Sequence, residues 1–99
     1  MSKKTYILSE IADKDLEDIF DYTWNEFGFN QAETYLLEIE EIFQNLFLNP
    51  HLGKKRDEIK KGLYSFPKDN HVIFYRILDH HIRIVRVLHG SRDIPKFFL

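Results

Sequence analysis

Apolar residues in the first half of the chain recur every three or four positions. Ala12, Leu16, Ile19, Phe20, Thr23, Trp24 and Phe27 form one stripe, while Asp13, Glu17, Asp18 and Asp21 lie off it; this spacing predicts an amphipathic helix. Ser9 stands where an N-cap is expected and Gly28 where the helix ends. A second stripe, Ala32, Tyr35, Leu36, Ile39, Ile42, Phe43 and Leu46, runs out at Asn49-Pro50, where proline bars continuation. Asn30 followed by Glu33 predicts a capping box. The short Gly28-Phe29-Asn30 connection then folds the two helices into an antiparallel hairpin.

The second half changes period. Lys4 to Ser9 alternates weakly around Tyr6 and Leu8, which suits a short first strand, and Gly62-Leu63-Tyr64-Ser65-Phe66 alternates before Pro67. Val72 to Leu78 and Ile82 to His89 are dense in β-branched and aromatic residues and predict a hairpin around Asp79-His80. The turn type stays open, because tight hairpin turns want positive φ at both central residues and Asp-His is a poor provider of it. His51 to Lys61 reads as a polar, basic loop, and Ile94 to Leu99 as an apolar tail that docks on the core or fills a groove. The order β-α-α-β-β-β places the chain in the α+β class, a helical hairpin packed on one face of a small antiparallel sheet. Residues 1–99 are expected to form a single domain.

Composition narrows the chemistry. There is no cysteine, which removes disulfides, thiol nucleophiles and zinc ribbons together. No signal peptide or membrane span is expected, and the cytoplasm is the simplest address. The net charge of −2 conceals a split: residues 1–49 carry three lysines against eleven acids, −8, and residues 50–99 carry eleven cations against five acids, +6. One half is thus expected to attract anionic surfaces and the other to repel them.

Five histidines raise the question of a metal, but no pair falls at i, i+4 on a helix and His80-His81 would point to opposite faces of a strand, so no metal or other cofactor is expected. Serine nucleophiles lack a recognisable base and orienting group. Phosphodiester cleavage by an RNA's own 2′-hydroxyl needs less: a base, an acid and a cation beside the phosphorane. His89 with Arg86, Arg76 and Arg56 supplies those types. The same residues also fit a plainer reading in which His89 caps a strand and the arginines pair with acids on the helices.

Several short pieces, in order along the chain, resemble the RelE/ParE superfamily of bacterial type II toxins, and more closely its ParE branch. They are Tyr6 with Leu8-Ser9 before Ala12 and Leu16; Tyr22; Gln31-Ala32 with Tyr35; Pro50 with Gly53 and Arg56; Gly62-Leu63; His71 with Ile73-Phe74-Tyr75-Arg76; and Arg86-Val87-Leu88-His89 with Asp93. The resemblance implies a compact toxin neutralised by a cognate antitoxin, whose disordered C-terminal segment folds on it and through which alone it meets promoter DNA. ParE-like members poison DNA gyrase, whereas RelE-like members cleave messenger RNA on the ribosome. On the first reading Arg56, Arg76, Arg86, His89 and Arg92 are target-binding; on the second His89, Arg86 and Arg56 are catalytic. Trp24, Tyr35, Phe74 and Arg83 are the expected antitoxin contacts. The chain departs from the family where Tyr64 follows Gly62-Leu63 in place of a common arginine. No tyrosine follows Tyr75 to stack on a message. An inactive homologue that only binds antitoxin is the third possibility.

Overall fold

The computed structural model describes residues 6–98. Strand β1 (Tyr6–Leu8) leads into helices α1 (Glu10–Phe27) and α2 (Phe29–Leu48); β2 (Lys54–Lys55), β3 (Tyr64–Lys68), β4 (His71–Ile77) and β5 (Ile82–His89) follow, with 3-10 turns at Pro50–Leu52 and Ile94–Phe98. The start of the predicted first strand, Lys4 and Thr5, and the end of the tail, Leu99, lie outside the described residues.

Ser9 caps α1 as its chemistry dictates: the side chain accepts from the Ala12 amide at 2.9 Å. The second helix starts differently from the sequence expectation. Gly28, at φ 92°, is the only residue between the helices, and no side-chain cap bond forms, so the Asn30–Glu33 box is absent. A left-handed glycine that closes α1 through its amide to the Trp24 carbonyl at 2.8 Å opens α2 one residue later, leaving Asn30 inside the helix.

The sheet runs β1-β5-β4-β3-β2. It is mixed rather than purely antiparallel, because β1 pairs in parallel with β5, Tyr6 opposite Ile82 and Leu8 opposite Ile84. The helical hairpin and three strands separate the two in sequence, a connection long enough for parallel pairing. A fifth strand, β2, sits in the segment expected as loop; two lysines carry no period by which to recognise it. Pro67 lies inside β3 rather than beyond it, opposite Val72. Only Lys54 and Lys55 cover the far side of β3, so Pro67 stands where its missing N–H is not needed.

One irregularity positions the site. Phe74 pairs with Arg86 but Tyr75 with Ile84, leaving Val85 as an extra residue on β5. Such a bulge shifts the alternation. Ile82 and Ile84 face the helices before it, Val87 faces them after it, and His89 is brought to the helix side opposite His71.

The main core lies between helices and sheet and contains Leu16, Ile39, Phe43, Leu46, Ile73, Tyr75, Ile84 and Val87. A smaller cluster on the other face joins Leu63, Phe74 and Leu88 to Ile59, Val85, Ile94, Phe97 and Phe98. The buried Tyr75 hydroxyl donates to the Pro50 carbonyl at 2.7 Å and accepts from the Gly53 amide at 2.9 Å, sewing the loop after α2 to the sheet. Gly53 is required by that closeness: a Cβ there would stand 2.7 Å from the Ser65 carbonyl and nearer still to the tyrosine oxygen.

Candidate functional site

Strand β1 stops at Leu8 while β5 runs on to His89, so the later half of β5 has no strand on its β1 side. Side chains take over that edge. Ser9 donates from its hydroxyl to the Val85 carbonyl at 2.9 Å, and Asp15 accepts from the Val87 amide at 2.9 Å. The same carboxylate takes two bonds from Arg86, from Nε and from a terminal nitrogen, each 2.9 Å. Both side chains are mostly buried, and this bidentate pair raises the Arg86 pKa further above its ordinary value.

Where the helices part from this edge there is a groove of about 830 Å³. Its α1 wall carries Asp15, Tyr22 and Phe27; α2 adds Gln31 and Tyr35; its floor is His71, His89 and Arg92. The two histidines are register partners with ring centroids 5.4 Å apart at 80°. Tyr35 Oη lies 2.8 Å from His71 Nδ1 and 3.2 Å from the Lys68 carbonyl. Burial, and then the neighbouring His89, hold the His71 imidazole below its usual pKa, while burial pushes the Tyr35 phenol up. His89 Nδ1 accepts from the Ser91 amide at 3.1 Å and lies 2.7 Å from the Ser91 hydroxyl. That amide bond puts the proton of the neutral ring on Nε2. A groove this size, with aromatic walls and a few polar groups, suits an apolar segment anchored by hydrogen bonds and charge.

The structure divides the residues expected at the two sites. Arg86, His89 and Arg92, expected against a target, meet Tyr35, expected against an antitoxin, in the groove. Trp24 is not part of it; it points out from the hairpin with about half its surface exposed. Phe74, expected as a surface contact, is fully buried on the opposite face of the sheet, its ring 5.0 Å from Phe98. The tail covers it, which the sequence left open. Arg83 is exposed on that same face, opposite Arg76. Arg76 donates to the Lys61 carbonyl at 2.9 Å, and Arg56 is engaged with Glu58 at 2.6 Å and Ser65 at 3.2 Å. Arg56 and Arg76 are thus engaged near the surface, and Arg86 is held inward by an acid of α1.

Asp15, His71 and Ser91 complete the groove without having been picked out as site residues. His71 follows from pairing β4 with β5 in register, and Asp15 from α1 crossing the end of β1; neither is visible in local spacing. Among the described residues no group of three or more histidines and acids is placed to hold a metal. No described helix is long and apolar enough to cross a membrane.

Residues 6–94 match the family model for the ParE toxin of the type II toxin-antitoxin system parDE. Toxin ParE1 of Mycobacterium tuberculosis is 37% identical over 92 residues, covering 92% of this chain and 94% of that protein. Toxin ParE1 of Caulobacter vibrioides is 33% identical over 90 residues, 91% of this chain and 93% of its own length. Among solved structures, a chain of the chromosomal ParDE system from P. aeruginosa superposes with a TM-score of 0.76 over 88% of this chain and 96% of its own, at 19% identity. Along nearly its whole described length, the chain belongs to the ParE toxin family of type II toxin-antitoxin systems.

Proposed function

We propose that this toxin acts in the cytoplasm by binding DNA gyrase without covalent chemistry, and that the groove between α1 and the end of β5 takes the C-terminal segment of its cognate antitoxin. The observation that carries the reading is the state of Arg86. A cleaving site would need that guanidinium free beside His89, and here it is spent on Asp15. Arg92, exposed at the groove floor, and the Nε2 proton of His89 remain as polar anchors for an incoming acidic and apolar chain.

Purified toxin added to a gyrase supercoiling reaction is expected to inhibit it; normal supercoiling at several-fold molar excess overturns the target. For the groove, Tyr35→Ala and Arg92→Ala are expected to weaken capture of the antitoxin encoded beside the gene, and raising salt to weaken the wild-type complex. Unchanged affinity in both variants would move the antitoxin elsewhere.

A further inference from the structure

The outer face of the helical hairpin presents a second surface that the groove does not use. On a helix, two residues span about 200°, so Trp24 points nearly opposite to the groove-lining Tyr22. It meets Phe29 of α2 with centroids 5.0 Å apart and Phe20 at 5.7 Å, and Phe20 and Phe29 close the triangle at 6.1 Å. None of the three belongs to either buried cluster, and Trp24 and Phe29 are each close to half exposed. Leu37, 59% exposed, continues the Phe29 stripe two turns along. The rim is uniformly anionic: Glu17, Asp21 and Glu33 flank the rings at helical spacing and are exposed, and the only lysine or arginine on either helix is Lys14, paired with Asp18. An aromatic centre inside a charged ring is the anatomy of a protein contact surface.

Its charge selects the occupant. A second copy docking through the same face would set acid against acid, and an antitoxin segment rich in acids would be repelled likewise. We propose that the outer face of the hairpin, centred on Trp24 and Phe29, docks on the cationic DNA-holding surface of the target enzyme. This rests on gyrase being that target. Any surface that holds a DNA duplex carries lysines and arginines matched to phosphates, and the exposed carboxylates of this face complement that charge.

The test uses the full chain and gyrase. Trp24→Ala with Phe29→Ala is expected to raise the toxin concentration for half-inhibition of supercoiling at least tenfold, with the urea midpoint checking that the chain is folded. Glu17→Gln, Asp21→Asn and Glu33→Gln together leave the core untouched; they are expected to raise it several-fold at low salt and to flatten its salt dependence. Gyrase captured on immobilised wild-type toxin is expected to be released by a short duplex DNA. If wild-type toxin leaves supercoiling unchanged, the target reading fails and this inference goes with it. If wild-type inhibits and the charge variant inhibits equally, the docking face alone is overturned. Capture that duplex DNA does not disturb overturns the assigned occupant.

Discussion

Against one face of the sheet α1 and α2 lay Leu16, Ile39, Phe43 and Leu46 in a continuous core with Ile73, Tyr75 and Ile84. Against the other lie a loop contributing Ile59 and Leu63 and a 3-10 turn contributing Ile94, Phe97 and Phe98. The helices bring their own hydrogen-bond ladders and bury Ala12 and Leu16 of α1 and Ala32, Ile39, Phe43 and Leu46 of α2. The turn is held by side chains: Phe98 on Phe74 at 5.0 Å, and the guanidiniums of Arg86 and Arg92 over Phe97 at 5.1 and 5.7 Å. Both faces are covered, but by contacts of very different cooperativity, and stability is expected to concentrate on the helix side.

The largest effect tests that directly. Phe43→Ala removes a fully buried ring packed on Tyr6 at 5.0 Å and is expected to cost about 3–5 kcal/mol, read as a lowered urea midpoint. Next is Asp15→Ala, at the edge where the two faces join. It strips Arg86 of its partner and the Val87 amide of its acceptor, for about 2–4 kcal/mol in a site that keeps some contact with water. Phe98→Ala, on the weaker face, is expected to cost about 1–2 kcal/mol, since the ring is only partly buried. If Phe98→Ala destabilised as much as Phe43→Ala, the contrast between the faces would be wrong. If Asp15→Ala were neutral, the bidentate pair would be ornamental.

That contrast also explains what the sequence could disclose. Periodicity reports burial on one continuous face, so both helices, the β4–β5 hairpin and the α+β class were legible, with α1 capped by Ser9 as expected. Parallel pairing of β1, the two-residue β2 and the bulge at Val85 depend on which strands meet, and no local pattern encodes that. The site suffered most. Arg86 and Phe74 are cross-strand neighbours, yet one is turned to an acid 71 positions away and the other is sealed under the tail. Residue types are legible in a sequence, but whether each cation or ring is free or already engaged is a tertiary fact.

The smallest effect falls at the groove, where the helix-side packing reaches the edge of the sheet. Burial and the adjacent His89 lower the His71 pKa, against which Asp69 in the neighbouring turn acts in the opposite direction. The folded protein therefore resists protonating His71 at a pH where the unfolded chain, with its ordinary imidazole value of 6.5, already takes the proton. By linkage, the contribution is fully present above that value and is lost progressively as the pH falls below it, until the folded state also titrates. The urea midpoint is expected to fall between pH 7.5 and pH 5.5, and His71→Gln, which keeps a polar partner for Tyr35, is expected to flatten that slope. An unchanged slope in the variant would mean that this imidazole is as hydrated as any surface histidine, and that the closely packed helix face ends before it reaches the groove.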